Sequence, residues 1–379
     1  MDTTVERTAA KSPAGPASPR QELDATYDVV VVGGGAAGLS GALALGRARR
    51  TVLVVDAGDA RNSPAGHVHN YLTSEGVTPN ALLATGRAEV AQYGVPVVGA
   101  TVVGLRHLAG DREEPSDEPD GHRFEVDLAD GRSVRSRRLL VATGLVDELP
   151  EVPGVAERWG RDVLHCPYCH GWEVRDQAVG ILGTGPSAVH GALLWRQWSA
   201  NVVLFRHTSP TLSEEQTEQL TARGIEVVEG EVMALEVEDD RLAGVRLRSG
   251  EVVPRQAVVV APRFTARTGM LAALGLDAAD KEIAGYVIGS AVPGDASGAT
   301  SVPGVWVAGN VADPLAQVVT AAAAGLQAGA AINADLIAEE TARAVASYRT
   351  RSRTVDEPLF VKTDAEEGEP MLGARRRGL

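Results

Sequence analysis

Cysteine is nearly absent: the 379 residues contain two, Cys166 and Cys169. Two thiols this close cannot build a disulfide framework, and a local pair in a reducing compartment points to redox or metal chemistry. Aromatic residues are scarce at 4%, which argues against the broad stacking surfaces that hold single-stranded nucleic acid. Basic residues number 36 against 50 acidic ones, for a net charge of −14. Neither nucleic acid nor an anionic membrane is therefore an expected partner. No uninterrupted apolar run reaches membrane-spanning length, and the first residues lack the apolar core of a secretory signal. The expectation is a cytoplasmic protein.

What the chain does have is length, glycine and buried-strand patterning. The length predicts two or more domains, and 44% apolar residues with 42 glycines fit an α/β protein rich in nucleotide-binding turns. Residues 1–25, rich in Pro, Ala, Ser and Thr, read as a disordered leader. The acidic run 110–121 reads as a solvated hairpin tip, and the charged stretch from about Arg349 as a disordered tail. Between them, the four valines Val29–Val32 predict a buried parallel strand, followed by a glycine cluster, an Ala/Leu helix and a second strand, a βαβ unit. A helix is predicted over 79–93. A second βαβ unit is predicted from "AVGILGTGPSAVHGALLW" onward, a buried strand at "GVWVAGN", and a long small-residue helix after it.

Both βαβ units carry dinucleotide signatures. In the first, Gly33-x-Gly35-x-x-Gly38 follows a strand and opens a helix. Gly33 permits the tight turn, Gly35 lets a pyrophosphate approach the backbone, and Gly38 lets helix and strand pack closely. The helix N-terminus favours the phosphates, and Asp56, ending the next strand, can accept from ribose hydroxyls. The second signature is Gly183-x-Gly185-x-x-Ala188. Its next strand ends in Arg206 and His207 rather than an acid, which favours a 2′-phosphate and hence NADPH over NADH. Two such units in one chain imply FAD and a nicotinamide that reduces it.

The stretch "HCPYCHGW", residues 165–172, is open to several chemistries. A c-type haem at CxxCH needs export and an apolar crevice, neither of which the sequence offers. A zinc site needs about four ligands, and His165, Cys166, Cys169 and His170 are too contiguous to surround one ion. A glutaredoxin would be a small separate domain. A flavin-coupled dithiol fits the position between the two nucleotide motifs. There a thiolate is the nucleophile, and a histidine titrating near neutrality suits His170 to acid–base work.

Taken in order, "VVVGGGAAGLSGAL", "LLVATG", the CxxC, "GTGPSAVHGAL" and "GVWVAGNVADPLAQVVTAAAAG" resemble the low-molecular-weight thioredoxin reductases and their relatives among the pyridine nucleotide–disulfide oxidoreductases. The likeness covers about residues 28–336. It implies an FAD-binding domain built from 26–146 and 265–338, an inserted NAD(P)-binding domain at 147–264 carrying the CxxC, and a helix end with tail over 339–379. It also implies a homodimer. FAD contacts are implied for Gly33, Gly35, Ala36, Ala37, Gly38, Asp56, Arg61, Asn62, Asn70, Thr143, Gly144, Gly309, Asn310, Gln317 and Val318. Cys169 would face the flavin and Cys166 would exchange with the partner.

The departures are specific. His170 stands where the thioredoxin reductases usually carry an acid. Phe205-Arg206-His207-Thr208 replaces a His-Arg-Arg cluster, and Asn310 replaces an Asp. "RNSPAGHVHNYL" replaces the usual loop over the flavin and looks more like the branch that includes the dithiol oxidases of disulfide-containing natural products. The leading expectation is an NADPH-fed reductase of a thioredoxin-like disulfide, with NADH as a possible donor. A dithiol oxidase passing electrons from a small-molecule dithiol to oxygen is the alternative. A non-catalytic redox-sensing flavoprotein is a third reading, from another class.

Overall fold

The computed structural model describes residues 23–108, 121–283 and 285–354. Most of the expected leader and tail, and the acidic run up to residue 120, lie outside them. Two compact units emerge, one up to Asn333 and one from Ala334 onward. All of the sheets belong to the first.

The chain opens with β1 (Thr26–Val32), α1 (Ala36–Arg47) and β2 (Val52–Asp56), then α2 (Pro79–Ala91) and β3 (Val97–Gly99). Next come β4 (Val102–His107), β5 (Phe124–Leu128), β6 (Ser133–Val141) and β7 (Leu145–Glu148). A one-turn α3 (Val155–Arg158), β8 (Val163–Leu164) and a one-turn α4 (Pro167–His170) lead into β9 (Val179–Leu182), α5 (Ala188–Trp195) and β10 (Val202–Phe205). After α6 (Glu214–Ala222) the chain forms β11 (Glu226–Val228), β12 (Val232–Glu238), β13 (Arg241–Leu247), β14 (Val252–Pro254) and β15 (Ala257–Val259). It closes with β16 (Arg263–Ala266), β17 (Ala279–Ile283), β18 (Tyr286–Ala291), β19 (Val305–Val307) and α7 (Val318–Thr354).

Two Rossmann-like sheets result, as the paired glycine motifs predict. The first runs β3-β2-β1-β6-β5-β4, with β19 alongside β6. Its β3, β2, β1, β6 and β19 are parallel. The four valines of β1 are all at most 4% exposed, which is why they form a continuous run rather than an alternating one. The second sheet is β11-β10-β9-β15-β8, also parallel, with its own apolar cluster of Val179, Ile181, Trp195 and Leu204. The three-stranded β12-β13-β14 sheet packs beside it through Leu235 and Val245.

The chain leaves the first sheet through β7 and returns through β16, and these two strands pair antiparallel from Leu145–Ala266 to Glu148–Arg263. Both crossings therefore occur at one place, beside the dithiol turn.

Helix α7 extends beyond the expected end near Arg349, to Thr354. The segment after Tyr348 holds only Arg, Thr and Ser up to that point, and arginine is a good helix former with no glycine or proline to interrupt it. No described helix is long and apolar enough to cross a membrane.

Candidate active site

The first glycine turn is shaped as its spacing predicts. Gly33 has φ +108°, and a Cβ there would lie 2.3 Å from the Ala142 carbonyl oxygen. A Cβ on Gly38 would lie 1.9 Å from the Gly33 carbonyl oxygen, so helix and turn close only on hydrogen. Gly35, by contrast, faces open space. It is the N-cap of α1 and offers no side-chain acceptor, so the first amides of the helix are left for another acceptor. These features fit the diphosphate of a dinucleotide.

That turn borders a cavity of about 770 Å³ that continues to the dithiol. Of the expected cofactor residues, Gly33, Gly35, Ala36, Ala37, Asp56, Arg61, Asn62, Thr143, Gly144, Gly309, Asn310, Gln317 and Val318 line it. Cys166, Cys169 and His170 line the same space. Asp56 also accepts from Arg87 on α2 at 2.9 Å. Arg87 lines the cavity but was not legible in the motif, because it arrives from a helix 31 residues away.

Several expected contacts take a different form. The amide nitrogen of Asn310 donates to the carbonyls of Asp313, Pro314 and Ala316, so it ties up the loop before α7. That helix begins at Val318. Asn70 does not line the cavity; its side chain donates to the Tyr168 carbonyl at 2.6 Å and so holds the turn between the cysteines. Arg61 is held by both carboxylate oxygens of Asp147, at 2.7 and 2.8 Å. The close backbone approach of the small-residue helix is made by Gly325, whose Cβ would lie 1.9 Å from the Ala37 carbonyl oxygen. It packs on α1.

The dithiol sits on the single turn of α4. Cys166 is its N-cap, and the amides of Cys169 and His170 return to the Cys166 carbonyl at 3.2 and 3.1 Å. Both cysteines are free thiols and partly buried. A hydrogen bond from the Cys169 thiol, helped by the Cys169 and Tyr168 amides and by the charge of Arg61, lowers the Cys166 thiol to about 7. Cys169 is pushed up by that same bond and by burial. Of the two, Cys166 is the thiol that ionises more readily.

His170 ends α4, and both of its ring nitrogens are buried without a hydrogen-bond partner. Burial lowers its pKa, with Glu173 pulling the other way. It is therefore neutral at pH 7 and able to accept a proton. His165, pushed down to about 4 by burial, is packed between Trp159 and Phe264. Gly171, after the turn, has no room for a Cβ, which would meet the Trp198 ring at 2.8 Å.

The second glycine turn lies outside this cavity. Gly185 faces open space, while Gly183 is covered by the backbone of Phe205 and Arg206 and by the Ser209 hydroxyl. Ala188 opens α5. Arg206 is paired with Glu229 at 2.5 Å. The Nδ1 of His207 accepts from the Val232 amide at 3.0 Å, and burial lowers its pKa. Arg206 is thus engaged by an exposed carboxylate and His207 by a backbone amide. Glu229 escaped the sequence reading because it follows a different strand.

The pyridine nucleotide-disulphide oxidoreductase family matches residues 27–325. The thioredoxin reductase sirT of Leptosphaeria maculans is 29% identical over 81% of this chain and 93% of its own. A protein named Probable thioredoxin reductase, from Arthroderma benhamiae, is 36% identical over 41% of this chain, and the match spans 38% of that protein. The crystal structure of HlmI has 48% identity, covering 87% of this chain and 97% of its own, with a TM-score of 0.76.

Proposed function

The chain belongs to the pyridine nucleotide-disulphide oxidoreductase family, an enzyme family served by a flavin and a nicotinamide, and we propose that it is an FAD-dependent dithiol oxidase acting on a small-molecule dithiol. The observation that carries this reading is the occupation of Arg206 by Glu229 and of His207 by the Val232 amide. It engages the two residues expected at the 2′-phosphate of NADPH, while Cys166, Cys169 and His170 line one cavity with the first glycine turn. FAD would lie along Gly33–Ala37, Asp56, Thr143–Gly144 and Gly309–Val318. We assign 26–146 and 265–338 to its domain and 147–264 to the second nucleotide fold, with the boundaries inside the β7–β16 pair. A homodimer is part of the proposal.

Bound there, FAD would supply the two-electron acceptor for the reduced cysteines, with oxygen as the final acceptor. The remaining steps belong to the protein. One substrate thiolate attacks Cys166 of the Cys166–Cys169 disulfide, and Cys169 leaves as a thiolate. The second substrate thiolate then displaces Cys166, giving the substrate disulfide and the reduced pair found here. Neutral His170 accepts a thiol proton in this exchange.

The second reading is a NAD(P)H-fed reductase of a protein disulfide such as thioredoxin. The open Gly185 turn favours it, as do the names of the two fungal relatives. Aerobic turnover separates the two. The oxidase forms one hydrogen peroxide for each substrate disulfide and needs no nicotinamide. Reduction of oxidised thioredoxin at the expense of NADPH, without peroxide from dithiols, would establish the reductase instead.

A further inference from the structure

Oxidising a dithiol releases two protons, one from each sulfur. The cavity offers five imidazoles, those of His67, His69, His165, His170 and His190. His165 is buried between aromatic rings and stays neutral. Of these five, His69 lies in hydrogen-bond contact with a carboxylate. Its Nδ1 lies 2.6 Å from Glu75 Oε1, and its Nε2 lies 3.4 Å from Glu173 Oε1. Its side chain is 19% exposed.

The same Glu75 carboxylate uses its other oxygen to accept from the Asn70 amide at 2.8 Å. Asn70, at φ +60°, reaches the Tyr168 carbonyl between the two cysteines. One carboxylate thus sets the imidazole and, through Asn70, the dithiol turn beside it. A carboxylate on Nδ1 fixes ring orientation and stabilises the imidazolium once a proton arrives. The groups facing His69 are Glu75, Glu173 and the rings of His67 and His170.

We propose that His69, oriented by Glu75, is a second acid–base group of the dithiol site, taking the proton of one substrate thiol while His170 takes the other. The inference rests on the oxidase reading. Each thiol gives its proton to one imidazole. The first sulfur bonds Cys166 as the Cys166–Cys169 bond breaks, and the second bonds the first as Cys166 leaves. The electron pair goes to the cysteines, from which bound FAD would relay it to oxygen, and two protons are taken up with it as hydrogen peroxide forms.

The test is a series of dithiols of graded acidity, oxidised by FAD-loaded wild type, His69→Gln and Glu75→Gln. An acidic dithiol arrives already ionised and needs no base. We expect His69→Gln to lose about 100-fold in kcat/KM on the least acidic dithiol and little on the most acidic, with Glu75→Gln between. Added imidazole restores part of the loss. Alkylation of Cys166 in His69→Gln keeps the wild-type pH profile, because His69 acts on substrate rather than on the enzyme thiol. An equal loss on every dithiol, or an altered Cys166 profile, makes His69 structural and overturns the inference alone. A wild type that oxidises none of the dithiols fails the oxidase reading and the inference with it.

Discussion

In the proposed function Cys166 is the residue on which the chemistry turns, and its acidity has a local cause. The Cys169 thiol donates to it, and the Cys169 and Tyr168 amides point at it. Its thiolate fraction therefore grows as pH rises through about 7 and disappears below. Alkylation of the reduced protein by iodoacetamide should follow a midpoint near 7, and Cys169→Ala should move that midpoint upward by removing the donor. A wild-type midpoint at the ordinary value of about 8.5 would contradict the hydrogen bond. At this scale the sequence exposed Cys166, Cys169 and His170 because all lie within five consecutive residues. It did not expose Glu75, Arg87 or Glu229. Each meets its partner only after the chain has folded back, and nothing in local spacing marks such a pair. For the same reason it did not show that Arg206 meets Glu229 and His207 meets the Val232 amide.

Among elements, the turn between β1 and α1 was the most legible, since its glycines answer a local steric demand. Gly35 and Gly38 separate the two functions of that turn. Gly38→Ala places a methyl against the Gly33 carbonyl and should destabilise the protein itself by about 1–3 kcal/mol. Gly35→Ala meets nothing, so thermal melting of the apoprotein should stay unchanged while flavin affinity falls. Equal effects on both properties in the two variants would show that Gly35 does not face the cofactor. The β7–β16 pair was less legible. Two four-residue strands far apart in sequence carry no periodicity that ties them together. The end of α7 was misplaced because charge was read as disorder, whereas arginine continues a helix readily.

For the whole molecule, the order of motifs conveyed two nucleotide folds and a dithiol between them, and both sheets form as expected. The direction of electron flow is not written in that order. It depends on whether a nicotinamide at the second fold reduces the flavin, and the proposal is that it does not; the Arg206–Glu229 and His207–Val232 contacts bear on NADPH through its 2′-phosphate. Anaerobic titration of the purified flavoprotein, in parallel with a small dithiol, NADPH and NADH, tests that claim directly. The account predicts that the dithiol bleaches the flavin absorbance and that neither nicotinamide does so at a comparable rate. Rapid bleaching by NADPH, with the dithiol leaving the flavin oxidised, would contradict it.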